Sequence, residues 1–237
     1  MSRLCVLALL FAGAGAGCSS ADRAAEKAAP AGATAKAAPG GSAGVAGAAS
    51  QPGDALTDAA DRGRILGSPD AAVWLLVISD FQCPWCKQWH DSTFPAIRRQ
   101  YVDAGKIRVA YLNLPLGMHA NAMPAAMAAM CASAQGKFWA THDRIFQTQK
   151  SWEALGDPTA YLDSVAVAAG ADGALLRECT RGRRLAALIE ADQARAARAG
   201  AESTPIFFVG ARKIEGAQPL GEFRRVIDSV LAAVNKK

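Results

Sequence analysis

The sequence has no apolar run approaching the roughly 20 residues that a membrane-spanning helix needs, so it does not read as an integral membrane protein. It also lacks a long basic block. The net charge is a mild +5 and the cations are dispersed, which argues against nucleic acid as a partner. Aromatic residues are scarce, at 7%. Six cysteines in 237 residues are too few for a fold held together chiefly by disulfides. There is no internal repeat. What the chain does have is apolar residues, 51% against 20% charged, enough for a real core and too many for a disordered chain.

The first 17 residues read as an export signal. Met1–Ser2–Arg3 is a short positive start, and Leu4 to Ala16 is a 13-residue stretch without charge, too short to anchor the chain. It ends in Gly15–Ala16–Gly17–Cys18, which resembles a bacterial lipobox, where cleavage precedes a cysteine that then carries lipid. Gly15 departs from that pattern, which usually has a large aliphatic residue there. The alternative is ordinary cleavage between small residues, leaving Cys18 free or lost. Outside the cytosol disulfides persist, so the remaining cysteines are read as redox groups or staples.

From Cys18 to about residue 60 the chain reads as a tether, and from 61 to 237 as a domain. Residues 19–54 contain 27 Ala, Gly, Ser or Pro out of 36, with no aromatic, and cannot bury enough surface to offset ordering entropy. Such a leash spans roughly 30–35 Å. Beyond it, Ala72–Ile78 is a continuous apolar run, expected to be a strand buried on both faces. A helical stretch follows to about Tyr101, interrupted by Pro95. Ile107–Leu112 alternates as a second strand. Residues 119–200 are helical in texture, with breaks near Gly136, Gly156–Pro158, Gly170 and Gly182. Ile206–Val209 and Arg212–Ile214 suggest a hairpin, and Leu220, Phe223, Val226, Ile227, Val230, Leu231 and Val234 mark one face of a final helix.

Cys83–Pro84–Trp85–Cys86 follows the first strand and opens a helix. There the unpaired amides and the helix dipole stabilise an anion, so Cys83 is expected to be a thiolate near neutral pH. Cys86, one turn along, is shielded, and Pro84 fits the first helical position. Cys83 can then attack or receive while Cys86 resolves the mixed disulfide. Zinc sites share the C-x-x-C spacing, and Cys83, Cys86 and His90 with His119 or His142 would make a ligand set; this is the weaker reading. Thr204–Pro205 stands directly before the Ile206–Val209 strand.

With these residues in view, the chain resembles the thioredoxin superfamily, and more closely its DsbA-like thiol–disulfide oxidoreductases, over about residues 65–235. The resemblance rests on Leu66–Ala71, Asp80–Cys86, Leu114–Pro115–Leu116 with His119, Gln135–Trp139 and Ser203–Gly210. It implies an α/β thioredoxin fold with a helical insertion over about residues 117–200. It also implies a cis bond at Thr204–Pro205 facing Cys83, leaving backbone groups free to pair with a client peptide, and Pro95 as the kink of the active-site helix. DsbA-like proteins often carry a second, non-catalytic disulfide at the places of Cys131 and Cys179; the alternative is two separate buried thiols.

Other residues carry plainer expectations. His90 is read as a surface helix residue and His119 as a cap or packing group. Met118, Met123, Met127 and Met130 are read as core, with a pliable client surface as the rival. Asp80 either tunes proton transfer around Cys86 or simply ends the strand. Trp85 offers apolar contact to clients, and Arg177 to Arg184 form a solvated face. The function implied is an exported, lipid-anchored, monomeric thiol–disulfide oxidoreductase on the periplasmic side of a bacterial envelope. It would need no cofactor or metal, act on reduced or unfolded exported proteins, and exchange electrons with a membrane redox partner. Oxidation is favoured over reduction or isomerisation, since the tether supplies no dimerisation domain and Cys-Pro-x-Cys resembles oxidising members. A tethered client-binding module with little redox turnover is the rival of a different class.

Overall fold

The computed structural model describes residues 54–236; the export signal, Cys18 and the tether through residue 53 lie outside it. A five-stranded sheet forms the centre, in the order β1 (Ile65–Leu66), β3 (Ile107–Asn113), β2 (Val73–Ser79), β4 (Ile206–Val209), β5 (Arg212–Glu215). β2 and β3 run parallel and the other pairs antiparallel. The parallel pair requires a crossover, and it is made by α2 (Pro84–Ser92), α3 (Phe94–Ile97) and a π-helical turn at Arg98–Val102. Thr93 separates the first two helices and Pro95 lies in the first turn of α3, which makes the expected kink.

Between β3 and β4 the chain inserts α4 (Ala122–Ser133), α5 (Phe138–Gln147), α6 (Gln149–Trp152), α7 (Thr159–Ala168), α8 (Gly173–Arg181) and α9 (Ala186–Arg198). The breaks fall at the glycine-containing segments except that between α5 and α6, which falls at Thr148. α4 is apolar on all sides and almost wholly buried, packed among α5, α7 and α8. α10 (Leu220–Val234) closes the fold and turns Phe223, Val226 and Ile227 inward. The architecture is the expected α/β thioredoxin fold with a helical insertion.

Two expectations need correction. β2 is not equally buried on its two faces. Val73, Leu75 and Val77 enter the main core, whereas Trp74 and Leu76 are half-buried on the face covered by α9. Arg108, opposite Trp74 in the register, lays its guanidinium 3.9 Å from the indole centroid on that side. The tether also ends earlier than expected, because α1 (Ala55–Gly63) is helical and packs on α4. Asp54 caps it by accepting from the Leu56 N–H, Ala60 is buried, and the Ser133 hydroxyl donates to the Ala60 carbonyl at 2.6 Å. Gly63 permits the approach, since a Cβ there would lie 2.4 Å from the Ser133 carbonyl oxygen.

An ion pair ties this N-terminal segment to the insertion. Arg64 and Asp192, both buried, pair directly. Asp192 also accepts from the backbone and side-chain amides of Asn113, each at 3.1 Å, and from Arg195 at 3.0 Å. Cys131 on α4 and Cys179 on α8 are disulfide-bonded, with their Cα atoms 5.8 Å apart.

Candidate active site

β2 ends at Ser79, and the chain turns through Asp80, Phe81 and Gln82 into α2. Cys83 is the N-cap of that helix, with extended backbone and Pro84 in the first turn. A cysteine here cannot cap as Asn or Ser does, so its sulfur stays free to face the opposite loop. That loop holds the cis Thr204–Pro205 bond, and Cys83 Sγ lies 3.5 Å from the Thr204 carbonyl oxygen. Cys86 faces inward and accepts from the Asp80 N–H at 3.5 Å. Both cysteines are thiols, 3% and 1% exposed, so the pair meets solvent only at the Cys83 edge.

The environment splits the two thiols. A hydrogen bond from Cys86, aided by the Thr204 side chain and by the N–H groups of Cys86 and Trp85, brings the Cys83 pKa down to about 6 against the opposing effect of burial. Burial, reinforced by the neighbouring Cys83 thiolate, pushes Cys86 well above its ordinary value. One sulfur is thereby an anion at neutral pH and the other a proton-bearing donor to it. This is the division that dithiol–disulfide exchange requires.

Asp80 does more than end a strand. Its buried carboxylate accepts from the N–H of Gln82 at 2.7 Å and of Leu116 at 2.9 Å, and lies 2.7 Å from His119 Nδ1. It thus joins the turn before Cys83 to the loop after β3. His119 is held by that carboxylate rather than acting as a generic cap. Gln149 and the Gln82–Asn121 pair had no sequence signal. Gln149 Nε2 donates to the carbonyls of Phe81 and Cys83 at 2.8 and 3.3 Å, and Asn121 N–H donates to Gln82 Oε1 at 2.7 Å. A lone amide side chain has no periodic or motif pattern by which to find it.

Several expected placements change. His90 is buried, 7% exposed, because α2 packs that face against α5, and its ring nitrogens face Asp91 and Asp143 instead of the cysteines. The zinc set built on Cys83 and Cys86 is not brought together among the described residues. The Pro205 carbonyl accepts from the Gly216 N–H at 2.9 Å, and the Thr204 side chain faces Cys83. The methionines divide: Met127 and Met130 are core, Met123 is partly buried, and Met118 is 81% exposed beside His119. Trp85 is 61% exposed next to Cys83. Arg177, Arg181, Arg183 and Arg184 are solvent-facing, as expected.

A thioredoxin family model matches residues 59–229. The chain belongs to the thioredoxin family, and within it has the DsbA-like form of the fold. It is similar to the "Probable disulfide bond formation protein D" of Bacillus anthracis, 35% identical over 86 residues. That match covers 36% of this chain and 40% of the relative's length. Among solved structures it resembles oxidised BdbD from Bacillus subtilis, with a TM-score of 0.67 and 23% identity over 72% of this chain and 94% of that one. It also resembles alpha-DsbA1 of Wolbachia pipientis, with a TM-score of 0.65 and 25% identity over 73% and 94% of the two chains.

Proposed function

We propose that this protein is an exported thiol–disulfide oxidoreductase that forms disulfides in other exported proteins. The observation that carries the reading is the split pair: an N-capping Cys83 with a pKa of about 6 and a buried Cys86 held protonated, set against the cis-proline loop. In the oxidising cycle the Cys83–Cys86 disulfide is the electron acceptor. A client thiolate attacks Cys83 Sγ and forms a mixed disulfide. Cys86 leaves as a thiolate and, with its raised pKa, takes up a proton. A second client thiolate attacks the client sulfur of the mixed disulfide, closing the client's disulfide and releasing the Cys83 thiolate. Two electrons pass to the pair, and a membrane redox partner removes them to restore the disulfide.

Stabilisation of the reduced product supports the oxidising direction and supplies part of the shift toward it. A leaving group of low pKa departs readily, and a stabilised thiolate favours the reduced pair, which makes its disulfide a stronger oxidant. The exposed indole of Trp85, beside Cys83 in the chain, offers an apolar contact for weak, sequence-tolerant binding of unfolded clients. Cys18, if lipidated, places the enzyme on the periplasmic side of a bacterial membrane at the end of its leash. No described helix is long and apolar enough to cross a membrane.

The deciding measurement is the reduction potential of the Cys83–Cys86 pair in glutathione buffers, read by tryptophan fluorescence. A value near −120 mV is expected for an oxidase, and one near −270 mV would assign a thioredoxin-like reductant instead. Oxidation of a dithiol peptide should vanish in the Cys83→Ser and Cys86→Ser variants. Turnover that survives both would overturn the Cys83–Cys86 assignment, and no turnover by the native protein would assign it to client binding.

A further inference from the structure

Between α2 and α5 the structure gathers donor groups that thiol exchange does not use. His90 lies on α2 one turn beyond Cys86; His142 and Asp143 lie on α5. Nδ1 of His142 is 2.9 Å and Nε2 of His90 is 3.1 Å from the same oxygen, Oδ1 of Asp143. One donor atom from each of the three residues lies within 4.8 Å of one from each of the others. Both rings are locked by packing. His90 stacks on Phe146 at 4.9 Å, and His142 is enclosed by Trp139 at 5.0 Å and Tyr111 at 5.2 Å.

The hydrogen bonding of this group is incomplete without a further cation. A neutral imidazole carries one N–H, and an ionised carboxylate only accepts. His90 has a carboxylate on each nitrogen: Asp91 Oδ1 at 2.7 Å from Nδ1, and Asp143 Oδ1 beyond Nε2. With the proton given to Asp91, the Nε2 lone pair faces an oxygen lone pair. A second proton resolves that contact, and so does a metal ion at the point where the lone pairs converge.

We propose that His90 Nε2, His142 Nδ1 and Asp143 Oδ1 form a binding site for one divalent transition metal ion, with zinc(II) as the representative. Two imidazoles and one carboxylate suit an ion of borderline softness. Zinc holds such ligands at about 2.0–2.2 Å, which sets tetrahedral donors roughly 3.3 Å apart. The two nitrogen–oxygen separations, 3.1 and 2.9 Å, are already close to that spacing. Asp91 supplies the outer carboxylate that orients a ligating histidine and fixes its tautomer. The nearby cations pair with the outer oxygens of these same carboxylates, Arg98 Nη1 3.7 Å from Asp143 Oδ2 and Lys87 Nζ 2.7 Å from Asp91 Oδ2, while both inner oxygens face the histidines. Asp143 is 30% exposed, which gives the ion an entry and water a fourth position. A metal here would fasten the insertion to the redox helix without using either active-site sulfur.

The test is a titration of untagged full-length protein with zinc chloride, followed by calorimetry, with the Cys83–Cys86 pair oxidised and Cys5 and Cys18 alkylated so that no thiol can bind. The chain has only three histidines, so rival sites are few. One zinc per chain is expected, both in this form and in the Cys83→Ser/Cys86→Ser protein. Asp143→Asn and His90→Gln should weaken binding by at least about tenfold, and Asp91→Asn by roughly 10–100-fold through loss of the orienting carboxylate. Should Asp143→Asn fail to fold by circular dichroism, His90→Gln and Asp91→Asn carry the comparison. Absence of zinc uptake by the oxidised protein, uptake only on reduction, or equal affinity in wild type and all folded variants would each overturn the proposal.

Discussion

Replacing Cys86 with alanine removes the largest influence that lowers the Cys83 pKa while leaving Cys83 at the start of α2. A hydrogen bond to a charged group contributes roughly 1.5–3 kcal/mol. One pKa unit corresponds to about 1.4 kcal/mol, so Cys83 in Cys86→Ala should titrate roughly 1–2 units above the native value. In the native reduced protein that value, about 6, lies below the ordinary thiol range. A depressed acid stabilises the folded, reduced state fully above its unfolded pKa of about 8.5, and the stabilisation is lost as pH falls through 6. At pH 7 it amounts to no more than about 1.4 kcal/mol, reduced by whatever solvent screens at the Cys83 sulfur. For a two-electron couple this is a shift of no more than about 30 mV toward a more oxidising pair. The assay is the pH dependence of iodoacetamide alkylation, supported by thiolate ultraviolet absorbance. An inflection near 6 is expected for the native protein and a distinctly higher one for Cys86→Ala. A variant that still titrates near 6, or a native Cys83 that titrates at or above 8.5, would refute the reasoning.

Other perturbations test the scaffold and the anchor. The Cys131→Ala/Cys179→Ala double variant opens a bridge between residues 48 positions apart and should lose about 4 kcal/mol in urea unfolding; an unchanged midpoint would contradict this. Asp192→Ala leaves the buried Arg64 guanidinium uncompensated and should cost roughly 3–5 kcal/mol, with part recovered when Arg64 is also replaced by Met. Phe207, buried against Trp89 and Phe223, should lose roughly 3–5 kcal/mol on replacement by alanine. Membrane-extracted protein should have the mass of residues 18–237 plus an acyl-glycerol group; a soluble product beginning after Cys18 would show ordinary secretion.

Much of the fold was legible because its signals are local. The apolar run at Val73–Ile78, the alternation at Ile107–Leu112 and the glycine-punctuated helices all carry their period within a few residues. α1 was missed because Ala55–Gly63 has little apolar content, and its stability comes from the α4 surface under it. His90 was misplaced for a related reason. A histidine four residues past Cys86 reads as surface until another helix covers it, and α5 does so with Phe146 and Asp143.

The sequence by itself marked the Cys-Pro-Trp-Cys and Thr-Pro segments, because each is short-range. A cysteine followed by proline after a buried strand predicts a helix start; that Thr204–Pro205 lies opposite it was implied by the family resemblance alone. Only the tertiary structure decided how the two thiols differ and what holds them there. Cys83 meets Thr204 across 121 positions, Asp80 meets His119 across 39, and Arg64 meets Asp192 across 128. Periodicity reports which face of an element is buried, but it does not report which distant group lies against that face. The desolvation, hydrogen bonds and charge that set a pKa or complete a ligand set come from those distant groups.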